Sequence, residues 1–408
     1  MFSFVGKDLF IENVKVLDIE KKYKTATYIY SKNKIIQNYK AYHTPLAESR
    51  RSGLICFAVK TNPNVSLLKI LAKLKSGTDT VSGGEIYRSL EAGILPEKIV
   101  YAGVGKTAEE IEFALKKNIF MFNVESFQEL EAIDKIAKKL KKVAHIAFRI
   151  NPDVDPDTHS HIVTGKKGTK FGIPYDEALH AYAFAKKHKN VLPIGIHSHI
   201  GSQILDVSAY KLAAVKIKKI TDELAKNGIQ IEYINCGGGL GIAYKKDQKV
   251  PTPADLMKEI FEVFDADKKF IFEPGRSIIG DAGCLLTKVI YEKSSGEKNF
   301  LIVDAAMNDL IRPSLYDAYH EIIPIKDVKE EMFKTDVVGP VCESGDFLAK
   351  DRVLPRLKQG DFLIVTCTGA YGAAMASEYN LRPHLAQVLI DKDKMTLIRK
   401  RGQYKDLR

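Results

Sequence analysis

Lys60 closes the apolar run Leu54-Ile55-Cys56-Phe57-Ala58-Val59 and is followed at once by Thr61-Asn62-Pro63-Asn64. An amine at the mouth of a buried strand has its ammonium form destabilised by loss of water, which is what a Schiff-base lysine requires. A lysine in that place is more often simply the first solvated residue after the core. The choice between the two readings rests on what else arrives at the same mouth.

Three further motifs could. Cys236-Gly237-Gly238-Gly239-Leu240-Gly241 fails the dinucleotide pattern GxGxxG, because Ile242 and Tyr244 stand where a final glycine would be. Successive glycines do let backbone N–H groups approach an anion closely, so a phosphate cradle fits better. Glu273-Pro274-Gly275-Arg276 sets an acid and a base at the end of another apolar run, where an isolated surface ion pair is the alternative. His197-Ser198-His199-Ile200-Gly201-Ser202-Gln203 places two histidines on one face of a strand, a spacing that can bind a metal. No Asp or further His is evident to complete such a shell. One histidine stacking on an aromatic ring, with Ser202 donating to a phosphate, uses the same residues without a metal and is preferred.

The elements that must position these groups alternate along the chain. Strand-like runs cover 54–60, 77–82, 99–105, 119–125, 144–150, 194–201, 233–239 and 269–276, and most are followed by helical stretches such as 65–75, 84–92, 108–116 and 127–139. That alternation predicts a parallel α/β fold, most economically a closed eight-stranded (β/α)8 barrel of the TIM type, whose chemistry gathers at the C-terminal strand ends. Those ends carry Lys60, Asp79 with Ser82, Glu125, Arg149 with Asn151, His197 with His199, the glycines 237–239, and Glu273 with Arg276. After residue 280 the texture turns β-rich, at 285–291, 299–303, 336–338 and 361–367. This predicts a C-terminal all-β domain over 281–408 after a barrel over 33–280, with residues 1–32 adding a strand from 26–30 to the β domain.

Composition narrows the function classes. At 408 residues with 45% hydrophobic content, the chain is long enough for two cores. The five cysteines are scattered without a CxxC pair, which indicates neither a disulfide framework nor a zinc knuckle and suits a reducing compartment. The net charge of +11 sits on lysine-rich amphipathic stretches such as 133–142 and 181–190, read as solvated helix faces rather than a nucleic-acid patch. No apolar run approaches the roughly 18 residues that span a bilayer, and no targeting segment opens the sequence, so a cytoplasmic enzyme is expected.

Taken together, CFAVKTNPN, HSHIGSQ, CGGGLGI, EPGRSI, MNDLIRPSLYDAYH, GPVCESGDFLAKDR and GAYGAAMASEYNLRP resemble, in the same order from about Thr27 to Pro383, the diaminopimelate decarboxylase family of alanine-racemase-like, fold-type III enzymes dependent on pyridoxal 5'-phosphate. The segment from Arg149 to Gly172 also resembles this family more than its ornithine and arginine relatives. The resemblance implies that Lys60 holds the cofactor, Glu273 faces its pyridine nitrogen and His199 stacks on its ring. It implies further that Asp79 and Tyr371 lie near the cofactor, and that Ser202, Gly239 and the Pro274-Gly275-Arg276 turn hold its phosphate.

For the substrate, the same resemblance implies that Arg276, Arg312 and Tyr316 surround a distal carboxylate and that Glu343 meets a distal ammonium, with Tyr371 also within reach. Guanidinium with carboxylate and acid with ammonium is a pairing that recognises an amino-acid end. Read alone, Arg312 and Tyr316 could be a surface pair one helical turn apart, and Cys342 a small buried hydrophobe. The resemblance makes Cys342 the proton donor, supplied with Glu343 across a homodimer with shared active sites. The expected reaction converts meso-diaminopimelate to L-lysine and CO2. The rivals are a relative acting on ornithine, arginine or carboxynorspermidine, a metal-dependent barrel hydrolase, and a non-enzymatic homologue, whose usual mark is loss of the lysine or the proton donor.

Overall fold

The computed structural model describes residues 1–154, 169–326 and 331–407. The 155–168 part of the segment from Arg149 to Gly172 lies outside them. Two compact units form: Met1–Gln37 with Ala243–Lys249 and Ile278–Arg408, and Asn38–Ile242 with Val250–Ser277. That Ala243–Lys249 packs with the first unit is not visible from reading along the chain.

The second unit is a barrel of eight parallel strands: β1 (Gly53–Ala58), β2 (Gly77–Thr80), β3 (Ile99–Tyr101), β4 (Met121–Val124), β5 (Ala144–Asn151), β6 (Val191–His197), β7 (Tyr233–Asn235) and β8 (Lys269–Phe272). Each pairs with its neighbour in order, and β8 returns to β1 through Phe270 opposite Gly53, closing the ring. Strands covered on both faces read as unbroken apolar runs, which is why the alternation in the sequence is so clear. Inside, Cys56, Val100, Met121, Ala147 and Ile271 form one packed cluster. Each larger side chain among them contributes about 1.5–3 kcal/mol by leaving water.

The crossover helices begin where the sequence supplies caps. Asn64, Ser82 and Ser126 each accept a backbone N–H from the first turn of the helices Val65–Lys73, Gly83–Glu91 and Phe127–Leu140. Thr107 with Glu110 and Thr252 with Asp255 form full capping boxes. Satisfying these otherwise orphaned donors fixes where each βα loop ends, and so where the loop residues point.

The first unit is built on the strand Gly283–Ser295. It pairs antiparallel with Lys298–Val303, with Phe362–Val365 and with Thr27–Ser31, and the last of these runs parallel to Ala386–Asp391. All five residues of Thr27–Ser31 are buried, since a sheet strand flanks each side. The core joins Ile29, Cys284, Leu286, Ile364, Val388 and Ile390 to Ile11, Val16 and Ile19 from the N-terminal strands and helix. Those N-terminal elements, Phe2–Val5, Asp8–Ile11 and the helix Val16–Tyr23, are additions to the single strand expected before the barrel.

Candidate active site

All the barrel strands except β5 stop earlier than their apolar runs, so much of the chemistry sits on the turns that follow them. Lys60 lies in a 3-10 turn, Val59–Thr61, closed by Thr61 Oγ1 donating to Ala58 O at 2.8 Å. Its Nζ donates to Asp79 Oδ2, at the end of β2, at 3.1 Å. The two histidines do not share a strand face: β6 ends at His197, and His199 lies in the loop beyond. Ser198 N–H still donates to Asn235 O at 2.9 Å, but beyond it the backbone leaves the strand and the HxH alternation no longer describes it.

His197 turns instead to Glu273, with Nε2 3.2 Å from Oε2. The other oxygen, Oε1, accepts from Asn123 Nδ2 at 3.1 Å and from Asn235 Nδ2. Burial works to protonate Glu273, but His197, Asn235 and the Lys60 charge outweigh it and hold the carboxyl well below its ordinary range. Asp79 is pushed the other way. Burial raises it more than the Lys60 cation lowers it, and the Glu273 anion adds to the rise. One amine is thus set among two buried acids of opposite habit, a combination found where pKa values are tuned for chemistry.

His199 accepts the Gly238 N–H at Nδ1 over 3.2 Å, so that nitrogen carries no proton. Burial, reinforced by Arg149 and Lys60, holds the ring well below the ordinary histidine value and keeps it neutral. The glycine loop it touches is built by close backbone approach. A Cβ on Gly238 would stand 2.1 Å from Glu273 O, and one on Gly239, at φ +109°, 2.3 Å from Gly201 O. Tyr210 Oη donates to Gly238 O at 3.1 Å, and Gln203 clasps Ile242 through both its amide atoms. Ser202 Oγ accepts from Arg276 Nη2 at 2.9 Å, which brings the loop after β6 to the EPGR turn after β8. Pro274 O takes the Ala58 N–H, tying that turn to the Lys60 strand.

Asn123 and Asn235 belong to the site and escape the sequence reading. Asn123 is a single amide inside an apolar strand and Asn235 a single amide closing another, and that interruption is the one signal that could have found them. A second ring of support was visible only in part, as Glu125 and Arg149 at strand ends. Arg149 Nη1 donates to Glu125 Oε1 at 3.0 Å, and Glu125 also takes the N–H groups of Gly103 and Gly172. Lys106, buried beside them, donates to Gly103 O, Asn123 O and Glu129 Oε1.

The remaining candidates lie in the first unit. Arg312 opens the short helix Arg312–Tyr316 and is buried rather than part of a surface pair, held by Tyr244 and His320. Tyr316, at the end of that helix, is half-buried. Cys342 is exposed, not a core hydrophobe, and its N–H donates to Asn380 Oδ1 at 3.0 Å. Glu343 accepts from Tyr379 Oη at 3.3 Å. Asp346 fixes this loop by taking the N–H groups of Val341 and Met307, and Ser314 Oγ donates to Gly345 O, joining it to the Arg312 helix. Tyr371 sits in the left-handed region at φ +57°. Among the described residues no group of three or more His, Cys, Asp or Glu side chains is arranged to hold a metal ion.

The family described as pyridoxal-dependent decarboxylase, pyridoxal binding domain, matches residues 32–280. A diaminopimelate decarboxylase of Aquifex aeolicus is 49% identical over 97% of this chain and 94% of its own length. The chain belongs to the diaminopimelate decarboxylase family. Two solved members superpose closely: the Helicobacter pylori enzyme complexed with L-lysine, 45% identical with a TM-score of 0.92 over 96% of this chain and 98% of that one, and the M. jannaschii enzyme in co-complex with L-lysine, 38% identical with a TM-score of 0.95 over 99% and 96%. The family is one of pyridoxal-dependent enzymes, and the residues here fit that cofactor. The amine of Lys60, the anion of Glu273, the flat neutral ring of His199 and a glycine loop too tight for any side chain are a donor set suited to an aldehyde, a ring nitrogen, an aromatic face and a phosphate.

Proposed function

We propose that this chain removes CO2 from meso-2,6-diaminopimelate to give L-lysine, the last step of lysine synthesis, with pyridoxal 5'-phosphate as cofactor. The observation that carries the reading is Glu273, a fully buried carboxylate kept anionic by His197, Asn123 and Asn235 within reach of the Lys60 charge. When bound, the cofactor supplies an electron sink for the pair left behind as CO2 departs.

Lys60 would hold the cofactor covalently, with Asp79 steadying the amine at 3.1 Å. Glu273 would keep a proton on the pyridine nitrogen by facing it with a negative charge. His199 would lie against the ring, neutral and unable to compete for that proton. Ser202, Gly239 and the Pro274-Gly275-Arg276 turn would hold the phosphate, with Tyr371 completing the cofactor contacts. At the substrate's far end Arg276, Arg312 and Tyr316 would bind the distal carboxylate, while Glu343 pairs with the distal ammonium and Tyr371 lies beside it. Cys342 would deliver a proton to the carbon that has lost CO2.

Cys342 and Glu343 act in this reading across the interface of a homodimer, each site drawing on two chains. Their exposure supports it, since an exposed thiol and acid on a loop braced from behind are free to serve a neighbour. Among the described residues no helix is long and apolar enough to cross a membrane. The reading places the enzyme in the cytoplasm, where scattered cysteines stay reduced.

The test is CO2 release by the purified holoenzyme, whose visible colour reports the cofactor. Meso-diaminopimelate is expected to be turned over about 10⁴-fold more efficiently than ornithine, arginine or carboxynorspermidine, because the arginines would be left as unpaired cations by a substrate lacking the distal carboxylate. Comparable turnover of ornithine would move the assignment to that branch, and a colourless protein would remove the cofactor from it.

A further inference from the structure

Two side chains meet Arg312 at Nη1. Its Nη1 donates to Tyr244 Oη at 2.8 Å and lies 3.3 Å from His320 Nε2. A guanidinium has only hydrogens to give, so His320 Nε2 must be the acceptor and carries no proton. The other ring nitrogen settles the tautomer independently: His320 Nδ1 lies 2.8 Å from the backbone carbonyl of Thr366, which can only accept. The imidazole is therefore neutral, with its hydrogen on Nδ1.

The surroundings make this arrangement rigid. His320 is fully buried, and Tyr244 meets its ring edge-on with centroids 5.3 Å apart. The Arg312 guanidinium also lies 5.3 Å from the centre of the Tyr244 ring. Behind His320 the backbone is pinned twice, by Thr366 N–H donating to Glu321 O at 2.9 Å and by Arg352 Nη2 donating to His320 O at 3.2 Å. A buried acceptor whose own ring is fixed on its other side fixes where Nη1 points.

We infer that His320, in its neutral Nδ1–H form, is a positioning residue that aims Arg312 at the distal carboxylate of the substrate and thereby sets specificity. The inference rests on the proposed role of Arg312. It adds that the aim comes from a proton held on one ring nitrogen by Thr366 and a lone pair presented to Nη1 by the other. His320 itself touches neither substrate nor cofactor in this account.

The test uses the holoenzyme in three arms. Steady-state kinetics on meso-diaminopimelate should show KM raised roughly tenfold or more in His320→Leu with kcat within about threefold of wild type. In His320→Gln, whose amide oxygen can take over as acceptor, KM should return to within about threefold. In wild-type protein labelled with ¹⁵N-histidine, the signal lost in His320→Gln should show a protonated Nδ1 and an unprotonated Nε2. A protonated Nε2, or a His320→Leu enzyme with unchanged KM, overturns the inference, and so does an equal loss in both variants. Should His320→Leu fail to fold, the Gln variant and the wild-type spectrum still decide. Arg312→Ala separates the two layers of the argument. If it leaves KM unchanged, the carboxylate reading falls, whereas a raised KM there with an unaffected His320→Leu sinks the inference alone.

Discussion

The two oxygens of Glu273 have different partners: Oε2 stands 3.2 Å from His197 Nε2, and Oε1 takes the amides of Asn123 and Asn235. Shape and charge at this position can therefore be separated by mutation. Glu273→Gln keeps an oxygen for both asparagines and presents an amide to His197. It is expected to leave the melting temperature close to wild type while lowering kcat on the order of 10²–10³-fold, the usual effect of removing one fixed charge from a reacting centre. Glu273→Leu strands two buried donors and should lower the unfolding free energy by about 2–5 kcal/mol. Denaturant titration beside activity distinguishes them; a Gln variant of normal activity would remove Glu273 from the chemistry.

Gly238→Ala tests the glycine loop. Its Cβ would meet the Glu273 carbonyl at 2.1 Å, a backbone atom that cannot swing aside. The strain is expected to cost about 1–3 kcal/mol and to displace the phosphate cradle. Spectrophotometric titration of the apoprotein with pyridoxal phosphate should show weakened binding, and unaltered affinity would speak against a cradle there.

His199 gives a pH signature. Its pKa is depressed in the folded protein, so below the ordinary value of about 6.5 the unfolded chain binds a proton that the folded chain does not. Stability then rises with pH in that window and is lost as pH falls below 6.5, at up to about 1.4 kcal/mol per pH unit until the folded ring titrates. Apoprotein unfolding measured from pH 7.5 to 5 should show this slope in wild type and not in His199→Gln. Parallel curves would mean that the ring already titrates normally.

How much of this was legible beforehand depends on where each residue stands. Lys60, Glu273 and the glycines 237–239 mark the ends of apolar runs, where a change of residue type is visible in one dimension. Every barrel strand end but that of β5 was read one to four residues too late, because apolar character outlasts pairing: Val59 is fully buried yet belongs to a turn, not to β1. Asn123 and Asn235 become partners only when the ring closes around Glu273. Arg312 and His320 stand eight residues apart in one stretch, but Tyr244 reaches them from another, and no local pattern announces that meeting. The N-terminal hairpin was missed because Phe2–Val5 is largely exposed and carries no buried alternation.

The proposed sharing of sites across a homodimer predicts rescue. With the roles proposed for them, Lys60→Ala should be inactive and lose the link that borohydride traps, and Cys342→Ala should be nearly inactive for want of a proton donor. Denatured together in equal amounts and refolded, half the dimers are mixed, and each of these collects both lesions in one site and leaves the other whole. About a quarter of wild-type sites should return. No rescue, with subunit exchange verified by a tag, would confine each site to one chain.

The strand Thr27–Ser31 lies between Gly283–Ser295 and Ala386–Asp391 in the interior of its sheet. On a ribosome it emerges before every barrel strand, yet both of its neighbours are translated after the last of them. The barrel segments can pair as they appear, while this early apolar strand must wait, unpaired at both edges, for nearly the whole chain to be made. It is therefore the stretch most in need of protection during synthesis, and the sheet around it is the part of the molecule that nascent chains complete last.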